Sequence, residues 1–380
     1  VPDVKLISTS RLGNRKANSI QVMKMADAFA ELGCRVDVVL PGWRKAADSM
    51  KFGRSFGLKS FFRITFIPNF SIGSKFGIAT FAFSVFIWSL FWPKKAVIVT
   101  RNERVARLLA FAGKKVLYEN HAFAFSKANV TQKYRRRVKT LMSKKNVRMV
   151  AISGRLRDLW AQDGVDAERI HVAHDGVDLE SFRRIAAYPI QELRSSLGLP
   201  PDRPIVCYAG SLEKDRGIDF ILEAAAFYQQ RNYVFLILGG SPAEVRQYQD
   251  RAPAGHIVFA GYIENSAVPL YLRCVDLLVM PYQKNVVTID GCSPMKTFEY
   301  LASGKPILAP RFSSYMEVLR EFFSGVITYD PDNREAFITG IGNILENTET
   351  RMPEDRLEKL EPHSWRTRAQ IFLDLHARCF

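Results

Sequence analysis

The chain has 380 residues, 47% of them hydrophobic and 24% charged, which excludes a disordered or low-complexity polymer and suffices for two folded domains. Five cysteines stand singly, at 34, 207, 274, 292 and 379, with no CxxC, so neither a disulfide framework nor a zinc site is indicated and a reducing, cytoplasmic compartment is expected. The net charge of +16 is uneven: residues 1–184 carry 34 Lys and Arg against 14 Asp and Glu, residues 185–380 only 20 against 24. A field of that sign draws anions to the first half, whether nucleic acid, an anionic bilayer or a phosphate-bearing substrate.

In chain order, apolar runs at 4–8, 36–40, 64–68, 96–100, 115–119, 149–153 and 170–173 predict buried parallel strands. No cleavable leader is read ahead of the first. Between the first two, "NSIQVMKMADAFAELG" predicts a helix that starts at Asn18 or Ser19 and stops at Gly33. "KFGRSFGLKSFFR" at 51–63 interleaves phenylalanines with Lys and Arg, a composition suited to a bilayer interface. The run 76–92, "FGIATFAFSVFIWSLFW", sits at the lower limit of a membrane span; it reads as a core helix, with a membrane-surface role as the alternative. "VTQKYRRRVKTLMSKK" at 130–145 lines Val130, Tyr134, Val138 and Leu141 along one helical face and leaves the charges elsewhere, either as a solvated face or as an anion-binding one.

A polar stretch near 183–201 precedes a second set of strands at 205–209, 234–238, 257–260, 277–280, 307–309 and 325–327. The expectation is an α/β chain of two doubly wound, Rossmann-like domains, 1–187 and 188–362, with 363–380 returning to the first. Sheets of this kind bind ligands at the carboxyl ends of their strands, and two facing each other would form a cleft.

Two segments carry candidate chemistry. In "SPMKTFEYLASGKPILAP", 293–310, Ser293 suits an N-cap and Pro294 the first helical position, so the amides of Met295 and Lys296 should point out of the helix start. Lys296 in the first turn opposes the helix dipole at a cost of about 0.3–1 kcal/mol, which an anion such as phosphate would offset. Glu299, one turn on, is placed to accept from hydroxyls; an ordinary i, i+3 ion pair is the other reading. "CYAGSLEKDRGIDFILEAA", 207–225, is a buried strand followed by Gly210, Ser211 and an Arg216–Gly217 pair before a helix, so backbone and guanidinium can approach phosphate oxygens. Neither GxGxxG nor GxxxxGK[ST] is present, which argues against hydride transfer and nucleotide hydrolysis.

These strings, with "FAGYI" (259–263), "DLLVMPY" (276–282), "VLYENHA" (116–122), "AISGRLRDLWAQDGVDAERIHVAHDGVDLESF" (151–182) and "HSWRTRAQIF" (363–372), resemble glycosyltransferase family 4 over essentially the whole chain. The resemblance implies a GT-B fold and a retaining glycosyltransferase of hexosyl type, with a UDP-sugar or GDP-sugar donor. It implies Glu299 at the ribose, Arg216 and Lys296 at the diphosphate beside Gly210, Ser211 and Gly217, and His121 at the transferred sugar. The base would be met at Gly261, Tyr262 and Ile263. Two departures stand out: Ser211 replaces a frequently basic residue, and Gly291 replaces the first glutamate of the family's E-x7-E pattern. Asp290 could substitute, or the amides of Gly291, Cys292 and Ser293 could hold sugar and phosphates. No DxD-type carboxylate cluster placed to hold a divalent ion is read beside these motifs, so no metal or other cofactor is expected.

The expected partners are therefore a nucleotide-sugar and a lipid-linked or glycan acceptor of bacterial-type polysaccharide or glycolipid synthesis. The basic half would rest peripherally on the inner face of the plasma membrane. Rival readings are a GT-B sugar-nucleotide epimerase or phosphorylase and, from another class, a nucleic-acid-binding protein, for which no helix-turn-helix, zinc-finger or RRM string is found.

Overall fold

The computed structural model describes residues 1–10, 17–69, 75–125, 128–286, 289–347 and 349–380, with all their side chains except those of Arg54, Lys75, Phe76, Lys214 and Asp290. The chain forms two compact units, Val1–Gly176 with Gly291–Ser293 and His363–Phe380, and Val177–Asp290 with Pro294–Pro362.

The first unit is an eight-stranded sheet: β1 (Asp3–Ile7), β2 (Arg35–Pro41), β3 (Ala47–Asp48), β4 (Arg63–Ile67), β5 (Val97–Thr100), β6 (Val116–Asn120), β7 (Val147–Ala151) and β8 (Ile170–Val172), in the order β3-β4-β2-β1-β5-β6-β7-β8. All neighbours are parallel except β3, a two-residue antiparallel edge on β4 that is too short to leave a hydrophobic pattern in the sequence. Strands such as β5 are buried on both faces, which is why they read as unbroken Val/Ile runs. Helices Ala17–Glu31 and Trp365–Cys379 pack together, with Phe29 and Phe372 edge to face at 6.3 Å. Ser364 caps the latter by accepting from the Thr367 amide, and Trp365 lies so close over Gly176 that a Cβ there would sit 2.8 Å from its ring.

The run 76–92, expected as a core helix, is only half that. In the helix Lys75–Ser89, Phe81, Ala82 and Val85 are buried, whereas Phe83, Ile87 and Trp88 face solvent. Among the described residues no helix is long and apolar enough to cross a membrane. In the helix Ala128–Met142, Tyr134, Val138 and Leu141 are buried as their spacing predicts, while Val130 is exposed. Its cations are partly matched: Arg135 and Lys139 reach Asp163, and Arg137 lies 3.1 Å from Glu103.

The second unit has six parallel strands, β9 (Ile205–Ala209), β10 (Val234–Leu238), β11 (Ile257–Gly261), β12 (Leu277–Val279), β13 (Ile307–Pro310) and β14 (Val326–Tyr329), ordered β11-β10-β9-β12-β13-β14. The chain winds outward from β9 in one direction, then returns to its other side at β12. The carboxyl ends of β9 and β12 thus form the switch point where open α/β sheets receive ligands.

The helix at 295 departs from expectation in its cap. It spans Met295–Ser303, and Pro294, extended at φ −68° and ψ 125°, is its N-cap with no side-chain bond to the first turn. Ser293, one residue too early to reach those amides, instead accepts from the Asp175 amide at 3.2 Å within the first unit. Gly304, at φ 76°, ends the helix as predicted.

Candidate active site

At the exit of β9 in the second unit, backbone groups crowd together. The Gly210 amide donates to Leu238 at 2.8 Å and the Gly239 amide to Gly261 at 2.6 Å, lacing β9, β10 and β11. A Cβ on Gly239 would lie 2.0 Å from the Gly210 carbonyl, and one on Gly217 would lie 1.7 Å from the Pro281 carbonyl; both glycines also have positive φ. Only glycine permits this convergence.

The cations arrive from two other elements. The Tyr300 hydroxyl accepts from the Ala209 amide at 2.8 Å, which fixes the helix Met295–Ser303 against the end of β9. Lys296, in its first turn, consequently reaches over Gly210: a Cβ there would stand 2.4 Å from Nζ. The ammonium lies 4.1 Å from the Tyr208 ring centroid and 4.9 Å from that of Tyr282, contacts worth about 0.5–2 kcal/mol each. Arg216 comes from the turn before Gly217, places its guanidinium 5.4 Å from the same Tyr282 ring and pairs with Glu213 at 3.0 Å. Burial pulls the Arg216 pKa down, but Tyr282 and Glu213 outweigh it, so the group titrates above its ordinary value and stays charged. Tyr208 donates to the Ser211 carbonyl at 2.8 Å and so shapes the intervening loop.

Gly210, Ser211, Arg216, Gly217 and Lys296 are thus gathered around Tyr208 and Tyr282 at the switch point. Glu299, half-buried, follows Lys296 by one turn. Gly261, at φ 66°, closes β11, and Tyr262 and Ile263 follow it in the chain. Gly291, Cys292 and Ser293 belong to the first unit, where the Gly291 carbonyl accepts from the Ser153 hydroxyl at 2.9 Å. Asp290 lies in a short 3-10 turn, and its side chain is outside the described part of the structure.

In the first unit, His121 directly follows β6. Its Nε2 lies 2.7 Å from Glu119 Oε1, the same oxygen that accepts from Arg368 at 2.9 Å and from Gln21 at 2.5 Å. Arg101 donates to Gln21 at 3.2 Å, and Asp175 Oδ1 stands 3.8 Å from Arg368. Burial pushes the Glu119 carboxyl up, but Arg368, His121 and Arg101 together hold it well below the usual carboxylate range. Burial, reinforced by Arg101, lowers the His121 pKa against the pull of Glu119. A neutral imidazole therefore donates its Nε2–H to the ionised Glu119, which leaves Nδ1 as the acceptor. The donor atoms of Glu119, His121 and Asp175 lie within 4.8 Å of one another, close enough for a metal. Arg368 already supplies the positive charge there, and Glu119 Oε1 is already shared among three donors.

Tyr208, Tyr282, Glu119 and Arg368 are the site residues that sequence reasoning missed. Tyr208 stands two residues before Gly210 in "CYAG" and Tyr282 closes the "DLLVMPY" string, so both lie within the motifs that carry the resemblance. Glu119 and Arg368 are 249 positions apart, and only the buried acid of "YEN" hinted that a cation must come from elsewhere.

Comparison with known proteins bears on the family and the fold. A family model described as Glycosyltransferase Family 4 matches residues 19–181, and one described as Glycosyl transferases group 1 matches 189–355. The putative colanic acid biosynthesis glycosyl transferase WcaI of Escherichia coli is 23% identical over 51% of this chain and 48% of its own length. The lipopolysaccharide 1,2-N-acetylglucosaminetransferase of Salmonella typhimurium is 23% identical over 56% and 57%. The matched region is about half the length of these curated relatives. HepE of Anabaena, solved in complex with UDP and glucose, superposes with a TM-score of 0.74 at 15% identity, covering 98% of this chain and 99% of its own. Two parallel α/β sheets, with a family match on each, place the chain among the GT-B glycosyltransferases, as a member of the family-4 type.

Proposed function

We propose that the protein is a retaining glycosyltransferase that moves a sugar from a nucleoside-diphosphate donor to a lipid-linked or membrane-associated acceptor in bacterial surface polysaccharide or glycolipid synthesis. The observation that carries this reading is the pairing of Arg216 and Lys296 on one tyrosine ring at the switch point of the second sheet. Two fixed cations beside a backbone turn that only glycine permits suit a diphosphate, whose charge grows as it leaves. In the proposed step the bond from the sugar C1 to the phosphate oxygen breaks and the acceptor oxygen bonds to C1 on the same face. The acceptor proton passes to an oxygen of the departing diphosphate. Arg216 and Lys296 neutralise that group without a divalent ion, and Glu299 accepts from the ribose. His121 Nδ1 accepts from a hydroxyl of the transferred sugar.

The names of the curated relatives support sugar transfer over epimerisation, and the UDP bound by HepE makes a UDP-sugar the first donor to try. Turnover of UDP-sugars and GDP-sugars with membrane-extracted acceptors is the test. Wild-type turnover by an Arg216→Ala/Lys296→Ala double variant would refute the assignment of these cations, and release of free sugar and UDP with no transferred product would refute transfer.

A further inference from the structure

The helix Lys75–Ser89 poses a physical problem within the first unit. It is apolar all round, yet only one face is buried; the other exposes Phe83, Ile87 and Trp88, and the chain continues through Leu90 and Phe91, the last 84% exposed. An all-apolar helix calls for an apolar environment on both sides. Fifteen residues rise only about 22 Å, short of a bilayer's hydrocarbon core of about 30 Å, so the helix can lie on a membrane but not cross it.

The surroundings identify the occupant. Beside the helix runs an open groove of about 600 Å³ lined by Ile67, Pro68, Phe83, Ile87, Trp88 and Phe91, with Ser84 the one polar lining residue among the described residues. Exposed Trp43 donates its indole N–H to the carbonyl of Asn69, the residue after the lining Pro68. Exposed Lys94 and Lys95 follow Phe91, and Lys114 donates to the Trp92 carbonyl at 3.2 Å. Burial and, second to it, Lys94 lower the Lys114 pKa. No aspartate or glutamate occurs between Asp48 and Glu103. An aromatic ridge with tryptophans, rimmed by cations without counter-charges in that stretch, matches the interface of an anionic bilayer. A second copy would instead bring this lysine rim against its own like charge. The helix Ala128–Met142, the other basic candidate, has much of its charge matched by Asp163 and Glu103.

We propose that the outer face of the helix Lys75–Ser89, with Trp43, Phe91 and the Lys94–Lys95 rim, is the surface by which this protein docks on an anionic membrane, its apolar groove taking acyl chain. This deepens the reading of a membrane-borne acceptor and does not depend on the transfer chemistry.

The test is flotation of the full chain with vesicles of phosphatidylcholine alone or mixed with phosphatidylglycerol, at low and high salt. Wild type is expected to float with the anionic vesicles and to lose binding as salt rises. A Phe83→Ser/Trp88→Ser/Phe91→Ser variant should partition roughly tenfold more weakly for each aromatic removed. A Lys94→Glu/Lys95→Glu variant should lose the preference for anionic lipid. All these side chains are exposed, so melting temperature and the UDP-induced thermal shift should stay at wild-type values. Flotation of the triple variant equal to wild type would overturn this surface while leaving the membrane reading intact. Wild type that ignores anionic vesicles would overturn both, the UDP shift then still reporting on the donor site. A dimer that dissociates only in the triple variant would assign the face to a second copy and overturn the proposal.

Discussion

Arg368 offers the sharpest test of how the first unit is held together. The tail helix delivers a guanidinium that is 1% exposed to Glu119, equally buried, and to the carbonyls of His174 and Ala173 at 2.6 and 3.3 Å. Arg368→Met keeps the volume but removes the charge, leaving Glu119 and Asp175 in a low-dielectric interior with Arg101, Gln21 and His121 as the remaining polar partners among the described residues. Breaking a buried pair from one side costs about 3–5 kcal/mol. For a unit near 200 residues, at about 2–4 °C per kcal/mol, its melting transition should fall by about 6–20 °C. The deficit should shrink as the pH is lowered, because the freed Glu119 takes up a proton in the folded variant, which it does not do in wild type. Glu119→Gln combined with Arg368→Met should recover most of the loss, since the two changes remove both ends of one contact. Urea denaturation of the four proteins at two pH values gives the cycle. Additive losses in the double variant, or a single-variant loss below about 1 kcal/mol, would refute the claim that this pair organises the tail and positions His121.

Arg216→Ala and Lys296→Met should each slow transfer by about 10²–10³-fold with little change in melting temperature, read from initial rates and a thermal scan. Gly217→Ala must place a methyl 1.7 Å from the Pro281 carbonyl and should cost more than about 3 kcal/mol, whereas Gly255→Ala, at similar φ but in open space, should cost about 1 kcal/mol; paired urea titrations compare them. Burial lowers the pKa of His174 and of His363 to about 4, their rings 5.4 Å apart. Their contribution to stability is whole above pH 6.5 and drains away as pH falls toward 4, because the unfolded chain takes up the protons first. Each accounts for about 2 kcal/mol after partial exposure is discounted, and His363→Gln should flatten the acid limb of a stability–pH curve. Transfer rates measured after exhaustive chelation should match the untreated enzyme; a loss restored by a divalent ion would contradict the cation-only account.

The sheets were legible because buried parallel strands write themselves as short Val/Ile runs, and 4–8, 36–40 or 205–209 lie within a residue of the strands found. Position 47–48 was not, since two residues on an antiparallel edge carry no period. Lys296 and Arg216 could be singled out by local chemistry, a cation in the wrong turn of a helix and an Arg-Gly pair in the loop after a buried strand. Ser293 misled for the same local reason: the spacing of a cap was right, but the Asp175 amide claimed its hydroxyl from far away in the chain. Glu119 and Arg368 meet only through tertiary structure, and no window on the sequence contains both. The run 76–92 shows the opposite limit, where composition alone cannot separate the buried Val85 from the exposed Trp88 three residues on.

The most direct measurement is the thermal shift of the full chain with UDP, set beside uridine and beside UDP added to the Arg216→Ala/Lys296→Met variant. A ligand at a hundred times its dissociation constant adds about 2.7 kcal/mol to the state that binds it. UDP should raise the melting temperature, uridine should raise it far less, and the variant should respond to UDP no better than to uridine. An equal shift with uridine, or an undiminished UDP shift in the variant, would contradict the assignment of these cations to a diphosphate.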